Sequence, residues 1–135
     1  MKSITHILRS QAQMTILTPE QIAQYRSELA SDPEALAALD EVEACDNTLE
    51  DAAEVLAIES GYTKSTLAES DQSYLDKLTE KARKVICSKY TGDLLELFKD
   101  LRDFMPFPGN LATLVAINVT KIGVHKFCES SESEA

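Results

Sequence analysis

The chain has 135 residues, of which 44% are hydrophobic and 27% are charged, which is enough apolar material for the core of one domain or of two very small ones. With 4 Gly, 4 Pro, no Trp and 6% aromatic residues, the composition favours helices and argues against a strand-rich sandwich or barrel, which needs many turn residues. The formal net charge of -10 disfavours unspecific binding to nucleic acid, because a negative field repels the phosphate backbone.

Helix start signals divide the N-terminal part of the chain. Apolar residues indicate a short first helix over residues 4–8, which has no capping residue. Thr18, followed by Pro at the first helical position and by Gln three residues on, predicts a capping box and a helix to about residue 30. Asp32, again followed by Pro, predicts a second helix to residue 45. Thr48 opens a third predicted helix, which Gly61 ends.

The C-terminal part begins after a stretch without periodicity, residues 61–72, which we interpret as a loop or linker. One regular helix is predicted from Tyr74 to the turn at residues 90–92, and another over residues 94–104. Two prolines make residues 105–109 non-helical, and Asn110 is the expected cap of the last helix, which runs towards Phe127. Because its apolar positions go almost all the way round, we expect this helix to be buried.

The predicted fold is therefore an all-α bundle of six or seven short helices, either one bundle or two abutting three-helix halves. The expected organisation is an acidic helical half (1–60), a linker (61–72), a second helical half (73–128) and a disordered acidic tail (129–135). No repeat with a fixed period is visible.

Charge is distributed unevenly along these elements. Residues 20–60 carry twelve acidic side chains and the single base Arg26, whereas residues 77–102 carry seven basic and four acidic side chains. An acidic surface of this kind steers association with a basic partner, or with the basic segment of a second copy. A solvated helix surface, or an acidic half that lies against the chain's own basic helices, would have the same composition.

The carboxylates, cysteines and histidines are the side chains that could form a chemical site. The acidic side chains lack the Glu-x-x-His pairs of a di-metal bundle and the Gly and Glu positions of a calcium loop, so no metal or cofactor is expected. His125 and Cys128 lie three residues apart on a helix and form the one pairing with nucleophile geometry, but no orienting group or oxyanion loop accompanies them. The sequence therefore predicts no catalytic residues and no enzyme activity.

The compartment is predicted from the chain start and the cysteines. No apolar run of signal-peptide length follows the first residues, and the uncharged stretch 105–120 is shorter than the about 20 residues of a spanning helix. The three cysteines, Cys45, Cys87 and Cys128, cannot all pair and include no close pair for zinc. We therefore expect buried reduced thiols in a cytoplasmic protein that contacts no membrane.

One segment carries a family resemblance. The sequence ACDNTLEDAAEVL, residues 44–56, resembles the junction of the second and third helices in ubiquitin-associated (UBA) domains, and the three-helix layout over residues 19–60 is similar in length and order. The resemblance implies a compact three-helix fold. The family's ubiquitin-contacting Met-Gly-Phe/Tyr loop would fall at Ser31, Asp32 and Pro33, which lack that sequence, so no ubiquitin-binding residue is carried over.

These patterns together favour a non-catalytic interaction or adaptor module that binds a protein partner or self-associates. The predicted partner-binding residues are the acids of the second and third helices and two aromatic residues of the loop after residue 103: Glu41, Glu43, Glu50, Glu54, Phe104 and Phe107. The alternative is a helical bundle that binds a small apolar ligand or lipid between its C-terminal helices. That site would be lined by Leu97, Leu101, Val115 and Ile117.

Overall fold

The computed structural model describes residues 14–62, 73–89 and 93–134, and within these ranges the chain forms eight α-helices and no strand. In chain order they are α1 (Pro19–Glu28), α2 (Pro33–Ala44), α3 (Leu49–Glu59), α4 (Tyr74–Lys81), α5 (Arg83–Lys89), α6 (Leu94–Phe104), α7 (Gly109–Ile122) and α8 (Val124–Glu134). The prediction of an all-α fold is confirmed. The predicted helix over residues 4–8 and nearly all of the predicted linker, from residue 63 to 72, lie outside the described residues.

The first two helix starts are the predicted ones. The backbone N–H of Gln21 donates to Thr18 Oγ1 at 3.0 Å, and the N–H of Thr18 donates back to Gln21 Oε1 at 2.9 Å, so the capping box is complete. Asp32 Oδ1 accepts from Ala35 N at 3.1 Å. Both signals are local, because each lies within three residues of the group that it satisfies.

The start of α3 differs from the prediction. Thr48 is the residue before the helix, but its side chain makes no capping hydrogen bond. The carboxylate of Glu50 instead accepts from Thr15, from the backbone N–H at 2.6 Å and from Oγ1 at 2.9 Å. Two backbone bonds continue this contact, from Leu17 N to Asn47 O and from Leu49 N to Thr15 O, each 2.9 Å long. The segment before α1 is thereby fastened to the first turn of α3.

Two helices predicted as continuous are each divided in two. The helix predicted from Tyr74 to residue 90 breaks at Ala82, whose N–H is shared between the carbonyls of Leu78 (3.2 Å) and Thr79 (3.1 Å), a local tightening of the turn. The last predicted helix breaks at Gly123, whose φ of 100° lies in the region that only glycine adopts freely. The segment after Gly123 is helical to Glu134, a range that overlaps the tail from residue 129 for which the sequence predicts disorder; disorder of this tail in solution stays a prediction.

The start of α7 lies two residues earlier than predicted, with Pro108 in place of Asn110 as the residue before the helix. Pro108 precedes the helix, and Asn110 lies inside its first turn with a buried Oδ1 that has no hydrogen-bond partner among the described residues. Gly109 lies close to α2, since a Cβ there would overlap the carboxylate of Glu34, an exposed side chain that would have to move, and would stand 3.0 Å from the Glu34 Cβ. Without a side chain at residue 109, α7 can begin directly against the first turn of α2.

The hydrophobic core is a single cluster around α7. Every residue from Leu111 to Val119 is buried, and the helix packs on α2, α3, α4, α6 and α8. The helices before and after the predicted linker therefore share one core instead of forming two independent ones. Broad burial of one helix by its neighbours is the arrangement that a helix apolar all round requires.

Candidate functional site

The four predicted acidic residues have different surroundings. Glu43 pairs with Arg26 at 2.5 Å, and the same guanidinium contacts Asp40 at 2.8 Å. Glu50 is only 8% exposed and is used by Thr15, so it belongs to the core contact before α1 and not to a docking surface. Glu54 is exposed on α3, one turn beyond Glu50.

Glu41 belongs to a group of carboxylates around Cys45, at the junction of α2 and α3. The Cys45 thiol lies 3.5 Å from Glu41 Oε2. The pKa of Cys45 is raised above 9.0, first by burial, then by Glu41, and then by the charges of Asp51 and Asp46. We call the exposed or half-buried residues Glu41, Asp46, Asp51 and Glu54 the acidic face.

The chain's own basic helices leave the acidic face unneutralised. Among the described residues, one ion pair joins residues 20–60 to a base of the C-terminal part, from Arg102 to Asp32 at 2.6 Å. Asp32 lies before α2, outside the acidic face. The described geometry therefore argues against an acidic half that is neutralised by the basic helices of the same chain.

The two predicted aromatic residues do not form one exposed surface. Phe104 is 56% exposed at the end of α6, whereas Phe107 is 5% exposed and packs in the core. The loop is non-helical, as the prolines predict, but it turns Phe107 inwards. The prediction of an exposed aromatic pair is therefore wrong for Phe107.

The cysteines differ most from the prediction. Cys87 of α5 and Cys128 of α8 form a disulfide with a Cα–Cα distance of 5.7 Å, and Cys45 is free. An odd number of cysteines excludes only that every cysteine is paired within the chain. Cys87 and Cys128 are 41 residues apart in the sequence, and the packing of α8 on α5 brings them together. While the bridge is intact, Cys128 has no thiol for the nucleophilic site that was considered with His125, and His125 pairs with Glu129.

The location prediction is affected by the same bridge. Disulfides are typical of oxidising compartments and rare in a reducing cytoplasm, so the bridge and the predicted cytoplasmic location point to different compartments, and the location stays a prediction. Within the described residues, no helix has the length and apolar character that crossing a bilayer requires. No group of three or more His, Cys, Asp or Glu side chains in those ranges could hold a metal ion.

A pocket of about 270 Å³ lies where α4, α5, α7 and α8 meet. Two buried polar residues line it, Thr79 of α4 and Asn118 of α7. Thr79 Oγ1 donates to the carbonyl of Leu75 at 2.7 Å and lies 3.1 Å from the Asn118 side chain. Because the hydroxyl has one hydrogen, which goes to Leu75, the Asn118 atom that faces it is the donor Nδ2. Asn118 Oδ1 accepts no hydrogen bond from the described part of the chain.

An ion pair and an aromatic ring form another wall of the pocket. Arg83 donates from Nε to Glu80 Oε1 at 3.0 Å, pairs through its second terminal nitrogen with Oε2 at 2.5 Å, and donates to the carbonyl of Phe127 at 2.5 Å. Its guanidinium also stacks on the Phe127 ring, 3.9 Å from the centroid. Arg83 holds the pKa of Glu80 below its usual value of 4.5. Glu80 and Arg83 therefore neutralise each other.

Asp76 is the remaining charged group that lines the pocket. It is partly buried and has no ion pair among the described residues. Burial raises its pKa above 3.8, the negative charge of Glu80 adds to the rise, and hydrogen bonds with Ser73 oppose it. The net charge of the pocket lining is therefore negative when Asp76 is ionised.

Sequence reasoning missed this pocket. Its signal was a polar residue, Asn118, inside the otherwise apolar run of α7, but the partner Thr79 lies 39 residues away. The side chains proposed for an apolar ligand site, Leu97, Leu101, Val115 and Ile117, are all buried in the core and do not line the pocket. A ligand between them stays a prediction.

Comparisons of the chain with protein-family models, curated proteins and solved structures found no match.

Proposed function

We propose that the chain is a non-catalytic binding module that recognises a Lys- or Arg-rich segment of a protein partner through the acidic face. The observation that carries the proposal is the concentration of acidic side chains at the junction of α2 and α3: Glu41 in the last turn of α2, 3.5 Å from the Cys45 thiol, Asp46 in the turn, and Asp51 in the first turn of α3. None of the three forms an ion pair within the described residues, so their mutual repulsion persists in the free protein and is relieved by a cation from outside.

The charge distribution and the family resemblance support the same role. A net charge of -10 raises the local concentration of basic partners and repels nucleic acid. The UBA-like sequence of residues 44–56 supports a protein-binding function, and the acidic face lies on that segment and the end of α2. Ubiquitin itself is not the proposed partner, because Ser31, Asp32 and Pro33 depart from the family's contact loop.

The proposal is tested by comparing two variants of equal net charge. E41Q/D46N/D51N neutralises three members of the acidic face, and the control E20Q/E28Q/E59Q neutralises three exposed acids elsewhere on α1 and α3. The probe is a displayed library of random peptides selected against the immobilised wild-type chain. We expect the selected peptides to be rich in Lys and Arg, and to bind the first variant about tenfold more weakly than the control, since each exposed pair contributes roughly 0.5 kcal/mol.

Salt and Cys45 supply two further readouts. Binding should weaken as salt is raised, because exposed charge pairs are screened. A bound peptide should protect Cys45 from alkylation, since the half-buried thiol contacts Glu41, 3.5 Å from Oε2. Selected peptides without basic residues, or an equal loss of binding in both variants, would contradict the proposal. If the chain instead binds a second copy of itself, sedimentation of the free protein will show a salt-sensitive dimer and the peptide selection will yield no basic consensus.

The variant E41Q/D46N/D51N also tests, in the free protein, whether these three acids act on Cys45. Removing Glu41, Asp46 and Asp51 charges should lower the pKa of Cys45, since these charges raise it. At a fixed pH the variant's Cys45 should therefore be alkylated faster than that of the control, because the thiolate is the reactive form.

A further inference from the structure

We infer that the basic partner segment binds in an extended conformation along the outer side of residues 14–17, with its backbone hydrogen-bonded to Met14 and Ile16 and its Lys or Arg side chains beside the acidic face. The inference rests on the proposed function for the charge of the partner. It adds the conformation in which that partner is recognised and the residues that receive it. Its own basis is the backbone geometry of the segment before α1.

The segment before α1 is extended and pairs at one point with the turn before α3. Ile16 and Thr48 face each other in an isolated antiparallel β-bridge. The two hydrogen bonds of the bridge are made by the residues on either side of Ile16, by the N–H of Leu17 and the carbonyl of Thr15. In a pair of this kind, the N–H and C=O of the facing residue point away from its partner. Those of Ile16 are therefore directed away from Thr48, to the outside.

The outward backbone groups make no hydrogen bond. Within the described residues, neither the N–H nor the C=O of Ile16 or of Met14 has a partner. Because the direction of these groups alternates along an extended chain, those of Met14 point the same way as those of Ile16. The N–H of Thr18, two residues further on, is already used by Gln21. We call the backbone groups of Met14 and Ile16 the free edge, since unpaired groups of this kind are what an added extended peptide binds.

The side chains of the same two residues lie exposed beside the free edge. Met14 is 43% exposed and Ile16 is 56% exposed, whereas Leu17 is 1% exposed. Alternation explains the difference, because Leu17 turns into the core and Thr15 turns to the carboxylate of Glu50. An added peptide places every second side chain next to Met14 and Ile16, where apolar and β-branched residues gain contact.

The charge beside the free edge favours a basic peptide. Asp46 and Asp51 are exposed, and each is adjacent in sequence to a residue that is hydrogen-bonded to the segment before α1. From residue 14 to residue 62 the chain has one base, Arg26, which is paired with two acids of α2. With extended chains about 4.8 Å apart, an added peptide lies about 10 Å from the turn before α3. A Lys or Arg side chain and a carboxylate together span that distance.

These features define the sequence pattern of the partner. Apolar residues alternate with Lys or Arg, because one set of side chains lies beside Met14 and Ile16 and the other lies on the side of α3. Since the free edge consists of two residues, the paired part of the partner is short. Its affinity therefore depends on the charges as well as on the backbone hydrogen bonds.

The first test is an N-methyl scan of a basic peptide selected against the wild-type chain. Methylation of one backbone nitrogen at a time removes one donor and leaves the side chains and their charges unchanged. We expect binding to weaken about tenfold at alternate positions and to stay within about twofold at the intervening ones, because only alternate N–H groups face the free edge. In the isotope-labelled protein, NMR should show the Ile16 amide protected from hydrogen exchange in the complex only.

Two variants test the free edge from the side of the protein. I16P removes an N–H that the described fold does not use, and the control I16A removes the apolar side chain but keeps the N–H. Proline is accepted at an edge position whose N–H points outwards, so I16P should fold. It should bind the selected peptides about tenfold more weakly than I16A does. The N-methyl scan on the wild-type chain decides the question even where I16P does not fold.

The outcomes separate this inference from the proposed function. Basic peptides that bind E41Q/D46N/D51N more weakly, yet tolerate N-methylation at every position and bind I16P as tightly as I16A, would overturn the inference and leave the proposed function in place. Selected peptides without basic residues would overturn both. An Ile16 amide already protected in the free protein would overturn the inference alone, because the free edge would then be occupied by the chain itself or, where sedimentation shows a dimer, by a second copy.

Discussion

Removing the Cys87–Cys128 disulfide should lower the free energy of unfolding by about 4 kcal/mol. The bridge joins residues separated by 41 positions in the chain. In the chain-entropy model, a cross-link of this loop length removes about 13 cal/mol/K from the entropy of the unfolded ensemble, which is about 4 kcal/mol at 25 °C. Whole domains are stable by only about 5–15 kcal/mol, so the bridge supplies a large share of the total.

The assay is urea unfolding of four samples under identical conditions: oxidised wild type, wild type with reductant, C87S/C128S, and the control C45S, which keeps the bridge. We expect reduced wild type and the double variant to unfold at similar, lower urea concentrations. The half-buried Cys45 makes no disulfide, so C45S should stay close to oxidised wild type. Free energies are compared after fitting the slopes, because a cross-link also changes the compactness of the unfolded chain.

Thiol counting gives the result that would refute the reasoning. Alkylation of the oxidised, denatured chain should label one cysteine, Cys45, and alkylation after reduction should label three. Three labelled cysteines without reductant would show that the pairing is wrong. One labelled cysteine together with unchanged stability on reduction would instead show that the loop-entropy estimate does not apply to this fold.

Three further predictions concern the fold. E50A should lower the free energy of unfolding by about 2–4 kcal/mol, because it removes two hydrogen bonds to the segment before α1. The exposed control E54A should lower it by less than about 0.5 kcal/mol. Equal urea midpoints for the two variants would contradict the role given to Glu50. G109A should cost about 1–3 kcal/mol by overlap with Glu34, and adding E34A should recover part of this loss but not all, because a Cβ at residue 34 remains 3.0 Å away. Folding raises the pKa of Asp76, so the folded state holds the proton of this carboxyl group more tightly than the unfolded state does. Wild type should therefore lose stability relative to D76N as the pH rises above 3.8. Urea unfolding of both proteins at a series of pH values measures this difference.

Local signals made the all-α class and several helix starts predictable. Thr18 with Gln21 and Asp32 with Ala35 are contacts of three residues, so the sequence contains both partners side by side. The apolar periodicity of α1 to α3 carries the same kind of information, since each face is defined within one helix.

The missed features depend on partners that are distant in the chain. The sequence predicts Glu50 to be an exposed acid, because its hydrogen-bond partner Thr15 lies 35 residues away in the chain. Cys87 and Cys128 pair because the chain turns at Gly123 and brings α8 back against α5. Gly123 is visible in the sequence, but the direction in which the chain turns there is not. The break at Ala82 has no local signal, since Ala is the strongest helix former.

The contact of Asn118 with Thr79 has a consequence for how α7 finds its place. From Leu111 to Val119 this helix is buried on all sides, so sliding it by one turn, about 5.4 Å, would exchange one set of aliphatic contacts for a similar set. Such a slide would leave the Asn118 amide inside the core without Thr79, at a cost of about 1–3 kcal/mol. A single amide and a single hydroxyl thus distinguish one axial position of the central helix from its neighbours, a choice that aliphatic packing alone would make only weakly.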